Sequence, residues 1–127
     1  MTVSTLEHVN FTVTDAPATA RWLCDVFGWK IRWQGPAING GRLIHVGSDT
    51  DYLAIYTPKA TNARDGNDRS GVGNLNHVGI VVDDLDAVET KVRTLGYATH
   101  SHADYEPGRR FYFDDENGIE FEVVSYA

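Results

Sequence analysis

Three side chains carry most of the chemical promise of this sequence: His8, His77 and Glu122. The histidines have near-identical surroundings, Leu6-Glu7-His8-Val9 and Leu75-Asn76-His77-Val78, and the glutamate closes the run Ile119-Glu120-Phe121-Glu122. Imidazole nitrogens and carboxylate oxygens can bind metals and can also carry protons. Either histidine alone reads as an ordinary half-buried polar residue. The matched pair, with an acid at a third strand position, points to a shared site.

Such a site needs elements that aim all three side chains alike. Val9, Phe11 and Val13 alternate with His8, Asn10 and Thr12, the period-two mark of a strand with one buried face. Val78, Ile80 and Val82 repeat the pattern after His77. Near the C-terminus Ile119, Phe121 and Val123 form the apolar side, so Glu122 points away from it with Glu120 and Val124. Successive strand side chains alternate between faces, so the three potential ligands project from the faces opposite the apolar ones.

The likeness of the two histidine segments extends along the chain. Val13 and Asp15 fall over Val82 and Asp84, Phe27-Gly28-Trp29 over Leu95-Gly96-Tyr97, Gly40-Gly41-Arg42 over Gly108-Arg109-Arg110, and Tyr52–Ile55 over Ile119–Glu122. The offset is 69 residues in the opening strands, 68 from the helix end to Arg42 and 67 at Tyr52–Ile55. Each copy, at about 60 residues, is too small to bury a core well alone, so the two are expected to pair in a single domain. The modules lie at about residues 1–57 and 74–127, joined by a polar, turn-rich connection at about 58–73.

Each module reads as strand, helix and three strands. Asp15 and Asp84 are the expected N-caps, and Gly28 and Gly96 the glycines that end the helices in positive φ. Leu23, Val26 and Phe27, then Leu85, Val88, Val92 and Leu95, are spaced to face the core. Further strands are predicted near 30–34, 42–47 and 52–57, then near 97–100, 109–114 and 119–125.

Composition narrows the function classes. A formal charge of −7 argues against nucleic acid or an anionic membrane as partner and would suit a cationic guest. No apolar run reaches the roughly 18 residues of a membrane span, and the opening residues lack the basic-then-apolar order of a signal peptide. One cysteine, Cys24, excludes an internal disulfide or a cysteine-based zinc cluster and reads as a structural thiol. Cytoplasmic residence is the expectation.

The succession LEHVNFTV, helix, FGWK, then LNHVGIVV, helix, LGYA and GRRFYFDDENGIEFEVV resembles the vicinal oxygen chelate superfamily over essentially the whole chain. That group includes glyoxalase I, extradiol dioxygenases, fosfomycin-resistance enzymes, methylmalonyl-CoA epimerase and bleomycin-resistance proteins. The resemblance implies an α+β fold in which two tandem βαβββ modules form a cup-shaped mixed sheet. It also implies metal ligands on the first and last strands of each module, which here are His8, Ala54, His77 and Glu122.

Ala54 departs from that pattern, because a methyl group cannot coordinate. Two imidazoles and one carboxylate remain, a facial set that leaves positions open on the metal. The implied cofactor is a divalent cation; Fe2+, Mn2+, Zn2+, Ni2+ and Co2+ all accept such ligands. It would act as Lewis acid and template for a small substrate chelated through neighbouring oxygens, in dioxygenase-like or lyase/isomerase chemistry. Glyoxalase I activity itself is disfavoured by Ala54. The alternative implied by the same resemblance is a metal-free, ligand-sequestering protein of the bleomycin-resistance type. A homodimer is implied as well.

Other residues are candidates for substrate contact. Asn10, Tyr52 and Tyr56 share the parity of their neighbouring ligand positions and could orient substrate by hydrogen bonds, packing being their ordinary alternative. Arg42 and Arg110 are read as equivalent strand positions, either able to clamp a carboxylate or to pair with the surplus acids. His100–Gly108 reads as a solvated loop containing a His-x-His spacing, and its Tyr105 is the candidate proton donor. His45 is matched to Phe113 and assigned to packing. Trp22, Trp29 and Trp33 are assigned to core or subunit contact.

Overall fold

The computed structural model describes residues 2–62 and 69–127, so residues 63–68 of the expected connection lie outside the described residues. The chain divides into two compact units, Met1–Asn62 and Ala63–Ala127. The first contains β1 (His8–Thr12), α1 (Ala16–Phe27), β2 (Lys30–Pro36), β3 (Arg42–Gly47) and β4 (Tyr52–Thr57). The second contains β5 (Val78–Val81), α2 (Leu85–Thr94), β6 (Thr99–Tyr105), β7 (Gly108–Asp114) and β8 (Glu120–Ser125). The expected tandem of βαβββ modules is present.

Both sheets have one topology. Their strand orders are β1-β4-β3-β2 and β5-β8-β7-β6. The opening strand runs parallel to the closing one, and the remaining pairs are antiparallel. A helix serves as the crossover, as parallel pairing requires. Asp15 and Asp84 start these helices by accepting from the Ala18 and Ala87 N–H groups, each at 3.1 Å. Gly28 and Gly96 follow them at φ 69° and 97°, in the left-handed region that favours glycine.

In each unit the helix covers one face of the sheet. Leu23 and Val26 of α1 are buried with Ile44, Val46 and Ile55. In the second unit Val92 is buried with Phe111, Phe113, Phe121 and Val123, and the Phe113 and Phe121 rings stack at 5.3 Å. Leu95 departs from expectation at 44% exposed, because α2 ends at Thr94 and the chain turns at Gly96.

Two corrections matter for the site. The segment read as a loop is a strand: β6 pairs with β7 through Tyr105↔Gly108 around a turn at Glu106-Pro107. A bulge between His100 and Ala103, with Ser101 at φ 56°, sends the two histidines apart. His100 sits opposite Tyr112, whereas His102 contacts Glu89 on α2, so the His-x-His spacing does not converge.

The repeat offset also differs from the sequence alignment: β3 and β7 run at 67 residues, not 68, and β4 and β8 at 68, not 67. Thr57 is in register with Arg42 and Ser125 with Arg109, so Arg42 corresponds to Arg109, not Arg110. By the same shift His45 corresponds to Tyr112, not Phe113. The β7–β8 turn, residues 115–119, is one residue longer than the β3–β4 turn, residues 48–51. Asp115 holds the longer turn by accepting from the Asn117 and Ile119 N–H groups at 2.9 and 3.0 Å.

Candidate functional site

The face of the second sheet turned away from α2 is polar. On β8, Glu122 is in register with Gly79 of β5 and Tyr112 of β7. His77, just before β5, reaches the same face, and its Nε2 lies 3.1 Å from Glu122 Oε1. Arg110, diagonal to Glu122 on β7, donates from Nη1 to Oε2 at 2.9 Å. Glu122 and Arg110 are largely buried, His77 partly so. The pairing of sequence-selected residues is therefore real within this unit, and Arg110 meets a protein carboxylate.

The orientation of His77 is set by its sequence neighbour. Asn76 Oδ1 lies 2.7 Å from His77 Nδ1, and an amide oxygen can only accept, so Nδ1 carries the hydrogen. Nε2 then presents a lone pair to a carboxylate oxygen, and only a proton or another cation makes that approach favourable. Above this pair Tyr112 packs its ring edge-on to His77 at 5.9 Å. Burial first, then the charge and hydrogen bond of Glu122, push the Tyr112 hydroxyl up, so it stays protonated and able to donate. Tyr105, on exposed β6, lies with its ring 5.3 Å from the Arg110 guanidinium.

The first sheet repeats the device. His8 Nδ1 lies 2.9 Å from Glu7 Oε1, which also accepts from the Tyr52 hydroxyl at 3.0 Å. These two hydrogen bonds hold the Glu7 carboxyl below the ordinary carboxylate range. A carboxylate on Nδ1 again leaves Nε2 as the free nitrogen of the ring. Tyr52 stacks on His8 at 4.9 Å and on His45 at 4.5 Å, and Trp33 follows His45 at 5.1 Å. The Arg32 guanidinium lies 4.6 Å over Tyr52. His45 thus belongs to the His8 face, where burial, His8 and Arg32 lower its pKa.

Asn10 shares that face, in register with Ala54, and Tyr56 lies further along it, in register with Thr12 and Leu43. Arg42 does not: it alternates with Leu43 and His45, falls on the α1 side with Ile44 and Val46, and donates to Gln34. Ala54 occupies in the first unit the place Glu122 holds in the second, since each lies opposite the strand two residues after the histidine.

The fold that carries these residues has counterparts. The Glyoxalase/Bleomycin resistance protein/Dioxygenase superfamily profile matches residues 5–123. The chain belongs to this superfamily. Among solved structures sharing the superfamily fold is a glyoxylase/bleomycin resistance protein/dioxygenase domain from Frankia sp. EAN1pec, at TM-score 0.81 and 20% identity over 98% of each chain. The fosfomycin resistance protein FosX from Listeria monocytogenes, complexed with Mn(II) and sulfate, aligns at TM-score 0.76 and 16% identity, covering 98% of this chain and 93% of its own. TnmS3, an antibiotic binding protein from Streptomyces sp. CB03234, aligns at TM-score 0.71 and 16% identity over 98% of both chains. No curated protein matches the chain in sequence.

Within this superfamily fold, sequence reasoning missed Glu7 and Asn76, although a signal was present. Both precede the paired histidines, and both carry a side-chain oxygen able to fix the ring. It also missed Tyr112 and Arg32, which only sheet register brings into the site. Among the described residues no helix is long and apolar enough to cross a membrane.

Proposed function

We propose that the chain is a metal-dependent small-molecule enzyme holding one divalent cation on His8, His77 and Glu122, with a substrate chelated through neighbouring oxygens. The observation that carries this reading is the approach of His77 Nε2 to Glu122 Oε1 at 3.1 Å, with Asn76 fixing the ring. Two ligand atoms each about 2.1 Å from an ion, and about a right angle apart, stand about 3 Å from one another. The donor set suits Fe2+, Mn2+, Zn2+, Ni2+ or Co2+, and the family contains a Mn(II) complex in FosX.

Bound there, the cation would supply Lewis acidity and a template for dioxygenase-like or lyase/isomerase chemistry. Glu7 and Asn76 hold the two imidazoles in their ligand tautomers. Arg110 fixes the second oxygen of Glu122. Asn10, Tyr52 and Tyr56 offer hydrogen bonds to substrate, and on the second unit Tyr112, held protonated, joins the candidate Tyr105. A homodimer in the cytoplasm completes the proposal.

Elemental analysis of protein stripped by chelator and reloaded with each cation tests it. The wild type is expected to retain one more equivalent of metal than His77→Ala, and to turn over a catechol or hemithioacetal only when loaded. Equal metal content in the two proteins sinks the reading.

One observation favours a second reading, a metal-free binding protein that sequesters its guest. Arg110 pairs with one oxygen of Glu122 and the His77 ring lies against the other, so both carboxylate oxygens have partners of the protein's own. Ligand held tightly in excess chelator, without turnover, supports this reading against the first.

A further inference from the structure

We propose a second divalent-cation site, separate from His77 and Glu122, formed by His100 on β6, Asp114 on β7 and Glu120 on β8. One ligand atom from each lies within 4.8 Å of the others. The site is built wholly within the second unit and takes a transition-metal ion, with Zn2+ and Mn2+ the natural choices for one imidazole and two carboxylates.

Three facts converge on it. Asp114 lies directly opposite Glu120 in the β7–β8 register, and like charges so placed destabilise a strand pair. Glu120 is moreover only 5% exposed, which makes its charge costly unless compensated. Arg69 pairs with one of its oxygens, so among the described residues one guanidinium is paired against the two carboxylates.

The imidazole supplies the third fact. His100 Nε2 is buried and has no hydrogen-bond partner among the described residues. Asp114 Oδ2, at 3.7 Å, is beyond hydrogen-bonding reach. Nδ1 is engaged by the Ser101 hydroxyl at 2.8 Å, so the nitrogen left over is the one aimed at the carboxylates. Ser101 holds this geometry from the β6 bulge at φ 56°, a left-handed conformation that costs energy for any residue but glycine. An imidazole nitrogen and two carboxylates brought together in this way form a donor set that a divalent cation would complete, in competition with Arg69 for Glu120. His100 and Asp114 are each nearly half exposed, which gives an ion its path in from solvent.

Tyr112 separates the two sites. Its ring stacks on His100 at 6.3 Å and meets His77 edge-on at 5.9 Å, so each histidine serves a different cluster. That division allows each site to be emptied by itself.

The experiment is calorimetric titration of chelator-stripped His77→Ala protein with Zn2+ alone. One equivalent is expected to bind, and adding Asp114→Asn or His100→Ala should weaken it about tenfold or more. Arg69→Ala should tighten it, because the guanidinium competes for Glu120; a merely structural cluster would show no such gain. In the wild type, Zn2+ should shift the His100 Nε2 resonance in imidazole nitrogen spectra, a readout that needs no variant to fold. Absence of zinc binding in His77→Ala, affinity indifferent to Asp114→Asn, an unmoved His100 resonance, or affinity unchanged or weakened in Arg69→Ala would each overturn the proposal.

Discussion

His77 Nε2 lies 3.1 Å from Glu122 Oε1, although 45 residues separate them in the chain. The parallel pairing of β5 with β8 accounts for this approach: Val78↔Phe121 and Gly79↔Glu122 are in register, and His77 reaches back over the same face. The contact is short, partly sheltered and flanked by Arg110. Everything proposed about the principal site depends on what neutralises it.

The residue before each histidine is expected to matter nearly as much as the histidine. Asn76→Ala and Glu7→Ala keep the proposed ligands but release Nδ1 in each unit. Each change should weaken the affinity of the principal site for metal by about 10- to 100-fold. Competition against a chromophoric chelator measures it; unchanged affinity in both variants would mean the Nδ1 contacts are incidental.

Arg110→Met should separate the two readings of the site. With the guanidinium gone, Glu122 carries a charge that only His77 or a metal can balance. Loss of one partner of a buried pair costs about 3–5 kcal/mol at most, and less for one still reached by water. If a cation is the natural occupant, Zn2+ should restore much of that loss in a urea melt by linkage. A melt indifferent to Zn2+ favours the metal-free protein.

Acid should weaken the second unit through Glu89. Burial opposes ionisation of this carboxyl, but hydrogen bonds from Thr99 and His102 and the charges of His102 and Arg93 outweigh it and hold its pKa below the ordinary value. A depressed folded pKa means that the stabilisation is complete above the unfolded value, about 4.3, and is lost as pH falls through the folded one. Urea midpoints between pH 7 and pH 3 should therefore fall more steeply for wild type than for Glu89→Gln. Parallel curves would contradict the assignment.

Gly47→Ala should damage both fold and site. A Cβ there would stand 2.3 Å from the Asp51 carbonyl oxygen and 2.5 Å from Tyr52 Cα, contacts that only backbone movement relieves. A loss of about 1–3 kcal/mol is expected from such overpacking. Tyr52 moves with the strand, so the Tyr52–His8 stack should loosen too, visible as a changed His8 ring shift in NMR spectra. Wild-type stability in this variant would show that the turn yields at little cost.

The sequence by itself determined the duplication, the two caps and the parity of the strands, because these rest on local rules, and it singled out His8, His77 and Glu122 as candidates. Strand alternation repeats every two residues, and a cap needs only a short acceptor before a helix. It placed β6 too early and too short, near 97–100, because the run Thr99–Tyr105 is too polar to alternate; that run is a strand because β7 pairs with it. Nor did it fix register: one extra residue in the β7–β8 turn moves Arg110 from the place of Arg42 to a diagonal with Glu122. Register is decided by hydrogen bonds between segments distant in the chain, and a one-residue slip changes the face of every side chain. Tertiary structure therefore decided which groups meet, His77 with Glu122 and His100 with Asp114 and Glu120, whereas the sequence had fixed only which groups were able to.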